Sequence, residues 1–374
     1  MTVSACAGGL AGCHPTGSPV IDPLETAALA AGFTLLVSQA APSTWALVGV
    51  TAVVLSRGWL LLPAGAAAFL ALSATAGLFS AKPPKWVGAI VGALGVQVVL
   101  RWPPHLFHGF PTIVSAILII VCGISAWRRS SERIRRRSEE IAIVIAGVIV
   151  ILSIPLVIAG LLSRTDVLGG QAAARTALAD AGSADSTTVT ADLSTAATDT
   201  TKAASMLGTW ITAGARAVPI VAQQDRFLVG TLQAASAAAT TGRSEASAID
   251  YRPGAQPGQV DLARLQAVAA PLEIFDHRLH ATDRQMAGLD SPWLVAPLAN
   301  RARSYRRELT QATRSADLGV QAANVLPGML GADGPRRYLI AFMTPSESRG
   351  YDGLIASYGL LTAENGHLSL TTSG

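Results

Sequence analysis

A group of charged residues near the end of the sequence has the side-chain types and spacing needed to bind a phosphate group. Arg336, Arg337 and Arg349 carry planar guanidinium groups, whose paired donors suit the oxygen atoms of a phosphate or pyrophosphate. Glu347 and Asp352 lie close by in the sequence and could serve as a general acid or base, or as ligands of a divalent cation. These five residues are the candidate functional site.

The same residues also fit a purely structural interpretation. Glu347 and Arg349 could form an ion pair that shapes a loop, with Arg336 and Arg337 in solvent, because ion pairs also occur in ordinary loops. The sequence leaves both interpretations open. It contains no phosphate-binding glycine motif, no HExxH and no G-x-S-x-G, and the cysteines and histidines lack metal-site spacing. We therefore predict no cofactor and no metal.

Two or three β-strands must position this charged group. Residues 338–343 and 353–363 form apolar runs that are typical of buried strands. Asn365-Gly366 is a strong signal for a two-residue hairpin turn, which predicts that residues 367–371 return as a third strand. So few strands do not make an independent sheet unless helices cover one face. We therefore expect the start of an α/β or α+β domain that is cut short at the end of the chain.

Three segments of this region carry a family resemblance: GADGPRRYL at 331–339, the loop with Glu347 and Arg349, and GLIASYG at 353–359. Together they resemble the core of the domain of unknown function 4012 family, whose pattern begins roughly G-x-D-G-P-R-x-Y-L. The family continues with a loop that contains glutamate and arginine, and then with a Tyr-Gly strand. The resemblance covers only this last part of the chain.

The resemblance implies a membrane-anchored protein of the bacterial cell envelope, as found notably in actinobacteria. The family has no established reaction, but it is discussed beside surface-polysaccharide assembly and the LytR-CpsA-Psr glycopolymer transferases. Thr344, Ser346 and Asp352 depart from its pattern, which has Asn, Ala and Gly at these places. The Asp352 difference weakens any role that needs a close approach of the backbone at that loop.

The composition indicates an integral membrane protein with a substantial part outside the membrane. Half of the 374 residues are hydrophobic, only 14% are charged, and the mean hydropathy is +0.42. An average soluble domain carries about 25% charged residues, and a disordered chain has low hydrophobicity. Aromatic residues make up only 5%, and no basic stripe is interleaved with them. Nucleic acid is therefore not an expected partner.

The membrane part ends in the clearest spanning segment of the sequence. Apolar runs fill residues 24–127, but several are shorter than the roughly 20 residues of a span, so the number of crossings there is left open. Residues 141–162 form a run of 22 without charge. Residues 128–140 contain six arginines, and short arginine-rich loops stay in the cytoplasm. We therefore expect everything after Leu162 to lie outside the cytoplasm.

The region after this span is predicted to be helical. Leu265, Leu272, Leu279 and Met286 recur every seven residues, which places an apolar seam on one helix face. A break at Ser291-Pro292 is followed by a second periodic run. Two long helices joined by a short turn indicate an antiparallel hairpin.

The predicted fold is a membrane α-helical bundle followed by an extracytoplasmic helical region and the start of an α/β or α+β domain. The predicted segments are an N-terminal tail (1–22), a multi-span membrane region (23–127), a basic cytoplasmic loop (128–140), the final transmembrane helix (141–162), an extracytoplasmic helical region (163–330) and a β-hairpin region (331–374).

These observations favour two alternative functions. The first is a membrane-anchored envelope protein that assists the assembly or attachment of lipid-linked surface glycopolymers. Its expected partners are the lipid bilayer and a lipid-linked glycan phosphate or other envelope proteins. The second is a non-enzymatic scaffold that binds a partner through the long helical hairpin. Whether the protein is an enzyme is left open.

Overall fold

A computed structural model describes residues 1–78, 83–101, 110–180, 186–249, 258–291, 293–344 and 354–373, and these are mostly helical. The chain divides into two compact units. Unit 1 comprises Met1–Ala159, Gly208–Arg226 and Ser291–Val295. Unit 2 comprises Gly160–Leu207, Phe227–Asp290 and Ala296–Gly374.

The described residues of the N-terminal half are mostly helical. The helices are α1 (Thr2–Gly9), α2 (Ile21–Gln39), α3 (Pro42–Leu55), α4 (Leu61–Thr75), α5 (Lys85–Leu100), α6 (Phe110–Arg129) and α7 (Glu132–Leu162). Small residues let them pack closely: a Cβ on Gly88 would lie 2.5 Å from the ring of Trp45. The Trp45 indole in turn donates a hydrogen bond of 2.6 Å to the carbonyl of Val37. Such small-residue contacts are common between membrane helices.

Among the residues that the structure describes, three helical segments are long and apolar enough to cross a membrane: Ile21–Gln39, Gly58–Thr75 and Glu132–Leu162. Pro42–Leu55 and Lys85–Leu100 are shorter apolar helices. The sequence predicted one clear span at 141–162, and this segment forms most of α7. Its aliphatic side chains are largely exposed on the protein surface.

The arginine-rich segment differs from the loop that the sequence predicted at 128–140. Only Ser130 and Ser131 separate α6 from α7, and the later arginines lie in the first turns of α7. Arginine and glutamate are good helix formers, and Arg136 pairs with Glu132 one turn away at 3.2 Å. The Arg135 guanidinium donates to the carbonyl of Trp127 at 2.9 Å and so caps the end of α6.

Unit 2 is built from long helices with a small sheet at the end of the chain. The helices are α8 (Arg164–Asp180), α9 (Ser186–Leu207), α10 (Pro219–Ala248), α11 (Leu262–Gly288) and α12 (Ala296–Met329). α8 packs on α9, and α11 packs on α12 as the expected antiparallel hairpin. Leu279 and Met286 of the predicted seam are buried.

The sheet is antiparallel in the order β1-β2-β3, with β1 at Arg336–Thr344, β2 at Leu354–Glu364 and β3 at His367–Ser373. The predicted Asn365-Gly366 turn joins β2 to β3, and its positive φ angles of 48° and 77° are those of a type I′ turn. Gly366 donates its N–H to the carbonyl of Leu330 at 2.9 Å, and its carbonyl accepts from Val260 at 2.8 Å. The turn is therefore fixed to the end of α12 and to the segment before α11.

Candidate functional site

The predicted anion site is only partly within the described residues. Arg336 and Arg337 are exposed at the start of β1, opposite Ala363 and Thr362 of β2. Adjacent residues of a strand point to opposite faces, so these two guanidinium groups do not face a common ligand. Glu347, Arg349 and Asp352 of the predicted site lie outside the described residues.

Unit 2 contains an apolar cavity that the sequence did not predict. It is a partly open cavity of about 220 Å³ between α8, α9, α10, α11 and α12. Its wall consists mainly of aliphatic and aromatic carbon: Leu178, Leu193, Ala238, Phe275, Leu279 and Leu309. The walls of small-molecule sites are typically apolar in this way, with a few polar groups that fix the orientation of the ligand.

Polar side chains lie at one side of this cavity. Arg175 binds the carboxylate of Glu308 through Nη2 at 2.6 Å and Nε at 3.3 Å. The hydrogen bond from Arg175 lowers the pKa of Glu308 below its usual range. The Tyr305 hydroxyl donates to the side-chain oxygen of Gln171 at 3.2 Å. These groups offer a ligand one fixed charge pair and one amide beside an apolar wall.

A second cavity of about 280 Å³ lies beside the first, near the start of α8. The two share four lining residues: Val167, Thr231, Leu232 and Tyr305. The second cavity adds apolar side chains from Leu207 and Phe227, and two cationic side chains from Arg164 and Arg301. The two cavities therefore adjoin at these shared residues, and guanidinium groups line both: Arg175 in the first, and Arg164 with Arg301 in the second.

The sequence carried a weak signal for this space. The part of α10 that lines it has alanines at 234, 235, 238 and 239. Small side chains at helical spacing leave room between helices. That room becomes a cavity only where the facing helices do not fill it, and the sequence of α10 alone does not determine this.

In unit 1, two exposed tryptophans lie on segments that are held together. Trp210 is 86% exposed just before the short 3-10 helix Thr212–Ala217, and Trp293 is also exposed. The Gln224 side chain joins the segments, since it donates to the carbonyl of Trp293 at 2.6 Å and accepts from the N–H of Val295 at 3.1 Å. A Cβ on Gly214 would lie 2.7 Å from Leu152, so this 3-10 helix rests directly on the apolar part of α7.

A comparison with known protein families finds a match in the last part of the sequence. The family model described as protein of unknown function (DUF4012) matches residues 333–374, which confirms the resemblance inferred from the sequence and its place. No curated protein and no solved structure matches the chain. The matched segment holds β1, β2 and β3 but neither cavity of the helical unit.

Proposed function

We propose that this is a membrane-anchored, extracytoplasmic protein of the cell envelope whose helical unit holds the apolar chain of a membrane lipid. The lipid class we propose is the carrier of a surface glycopolymer, which joins a long hydrocarbon chain to a phosphate. The observation that carries the proposal is the pair of adjoining apolar cavities in unit 2, the second of which is lined by Arg164 and Arg301. Their walls match the hydrocarbon, and their guanidinium groups match the phosphate.

Anchoring is supported by the surface of α7. Its apolar part of 22 residues would be about 33 Å long, the thickness of a bilayer core. Large aliphatic side chains such as Ile143, Ile151 and Val157 are mostly exposed there. Exposing each of them to water would forgo about 1.5–3 kcal/mol of burial free energy, whereas lipid tails solvate them.

The orientation is supported by charge and by aromatic residues. Arg133, Arg135, Arg136 and Arg137 lie at the beginning of α7 and favour the cytoplasmic side for that end. Trp210 and Trp293 are exposed on segments of unit 1, and tryptophan is enriched at the boundary between membrane and water. Reporter fusions at Ser130 and Gly331 test this premise, with a cytoplasmic signal expected at Ser130 and an external one at Gly331.

The test of lipid binding uses the full chain, extracted from membranes in a mild detergent. Lipids retained by the purified protein are identified by mass spectrometry. Ala238→Phe places an aromatic ring in the cavity, and we expect it to reduce the retained lipid at least tenfold. Ala237→Phe is the matched control, because Ala237 is the neighbouring alanine of α10 and does not line the cavity.

Two results would decide against the proposal. One is that the unaltered protein retains no lipid beyond the bulk composition of the membrane. The other is that Ala237→Phe and Ala238→Phe lose lipid equally, because the loss would then follow from general disturbance of α10. The melting temperature of each variant separates a filled cavity from an unfolded chain.

A second function is favoured by a different observation, the outer surface of α12. Leu318, Val325 and Met329 are exposed on this helix at spacings that bring them to one side. An exposed apolar strip of this kind is typical of a protein-binding surface. A scaffold role predicts that Leu318→Glu with Val325→Glu abolishes capture of an envelope protein while lipid retention is unchanged. Unchanged capture would eliminate the scaffold role.

A further inference from the structure

Three side chains on the α11–α12 hairpin converge on one point. Asp276 and His280 are four residues apart on α11 and so lie on the same face, and Asp317 faces them from α12. The His280 Nε2 atom is 3.2 Å from Asp317 Oδ1 and 3.7 Å from Asp276 Oδ1. The three ligand atoms all lie within 4.8 Å of one another. We propose that Asp276, His280 and Asp317 bind a divalent transition-metal ion.

Hydrogen bonding within the group does not satisfy all three side chains. One ring nitrogen carries at most one proton, yet the Nε2 of His280 faces two carboxylates. Asp276 is only 9% exposed, and its Oδ1 atom is buried without a hydrogen-bond partner among the described residues. A buried carboxylate oxygen without a partner is costly, and a bound cation removes that cost.

The donor set indicates the kind of ion. One imidazole nitrogen and two carboxylate oxygens suit Zn²⁺ or a similar first-row ion, whereas Ca²⁺ and Mg²⁺ prefer oxygen alone. Atoms about 2.1 Å from a tetrahedral centre are about 3.4 Å apart, which is close to both distances from His280 Nε2. Three protein ligands leave the fourth position of a zinc ion open to water or to another ligand.

The ion would connect the two helices of the hairpin. His280 and Asp317 are each about two-fifths exposed at their side chains, so the ion can enter from solvent. Because the ligands come from both α11 and α12, binding would stabilise their packing. This inference does not depend on lipid binding.

The experiment uses the full chain in detergent, first freed of metal with a chelator and then titrated with Zn²⁺. We expect one ion to bind per chain, with a rise in melting temperature of several degrees. His280→Ala and Asp317→Asn should each weaken binding at least 100-fold. His277→Ala is the matched control, because His277 is an exposed histidine of α11 outside the group, and it should bind as the unaltered chain does.

Asp276→Asn keeps the size of the side chain and removes its charge, which separates metal binding from folding. It should leave the metal-free melting temperature equal or higher, because the buried charge is gone, and abolish the rise caused by Zn²⁺. Substitution with Co²⁺ should give the visible absorption of a tetrahedral nitrogen and oxygen site without thiolate bands, which excludes Cys6 and Cys13 as ligands. The proposal would be overturned if His280→Ala still bound Zn²⁺ as the unaltered chain does. It would also be overturned if the unaltered chain bound Zn²⁺ with a dissociation constant weaker than micromolar.

Discussion

Two helices of the molecule expose aliphatic side chains to the same extent in unlike surroundings. Ile151 on α7 is 67% exposed, and Leu318 on α12 is 66% exposed. The neighbours of Ile151 are apolar over 22 residues, whereas α12 alternates apolar residues with arginine, glutamate and aspartate. The exposed fraction of a side chain therefore does not show whether that side chain suits water or lipid. The continuity of the apolar surface around the side chain is the better guide.

Two glycines on packed helices, one in each unit, meet different parts of their neighbours. In unit 1 a Cβ on Gly49 would lie 2.6 Å from the Cα of Ala68, so α3 and α4 meet backbone to backbone. In unit 2 a Cβ on Gly230 would meet the end of the Leu289 side chain at 2.7 Å. Backbones in close contact leave no room for adjustment, whereas side chains can change rotamer. Of these two contacts, the one at Gly230 can therefore adjust more easily to an added methyl group.

The largest expected effect comes from placing charge on the two exposed aliphatic surfaces. The apolar part of α7 contains fifteen Leu, Ile and Val residues. Together they contribute about −4 to −9 kcal/mol to the free energy of inserting this helix into a membrane. Arginine at both Val148 and Ile151 costs about 5–7 kcal/mol and offsets most of this. We expect a reporter at Gly331 to reach the external side at least tenfold less often in this double variant.

Leu318→Arg with Val325→Arg is the matched control on α12. Both side chains are exposed, so we expect the reporter signal to be unchanged and the stability to change by about 1 kcal/mol or less. If both double variants lost external signal alike, the proposed difference in solvent between α7 and α12 would be refuted.

A smaller effect is expected from adding one methyl group to each packing glycine. Gly49→Ala forces apart two backbones, and overpacking of this kind costs about 1–3 kcal/mol. Gly230→Ala displaces only the end of Leu289, and the better helix propensity of alanine returns about 0.5–1 kcal/mol. The melting temperature of the full chain in detergent should therefore fall for Gly49→Ala and stay nearly constant for Gly230→Ala. The reverse order would contradict the packing comparison.

The parts of the fold that local sequence determines were predicted best. The Asn365-Gly366 turn and the strands around it follow from residue types that few other conformations accept. The arginine-rich segment at 128–140 was predicted as a cytoplasmic loop, because short loops dense in arginine stay on that side of the membrane. Its side chains favour helix through their propensity and through the ion pair between Glu132 and Arg136, and α7 begins at Glu132 within it.

The sites depend on contacts that sequence spacing alone does not define. The spacing of Asp276 and His280 is visible in the sequence, because residues four apart in a helix lie on the same face. Asp317 lies 37 residues after His280 and meets it only because α11 and α12 form a hairpin. The cavity likewise results from the way five helices fail to fill the space between them. The charged group at Arg336 and Arg349 was predicted from residue types, and its phosphate role stays a prediction.

The smallest expected effect concerns the ion pair between Arg175 and Glu308 beside the cavity, whose contribution to stability depends on pH. Arg175 lowers the pKa of Glu308 in the folded protein, so the folded state favours the carboxylate more than the unfolded state does, where the pKa is about 4.3. The pair therefore stabilises the fold above that pH, and this contribution is lost as the pH falls through the lower, folded-state pKa. Because both side chains are partly exposed, it is worth about 1 kcal/mol at most.

Glu308→Gln should lower the melting temperature slightly at pH 7 and leave it equal to that of the unaltered chain once the pH is below the folded-state pKa of Glu308. Glu273→Gln, at an exposed glutamate of α11, provides the comparison for a change of net charge alone. High salt should reduce the difference at pH 7, because it screens exposed charges. If the melting temperatures of Glu308→Gln and the unaltered chain differed more as the pH fell, the protonated form of Glu308 would be the one that stabilises unit 2. The Glu308 side chain would then act at the cavity wall as a hydrogen-bond donor.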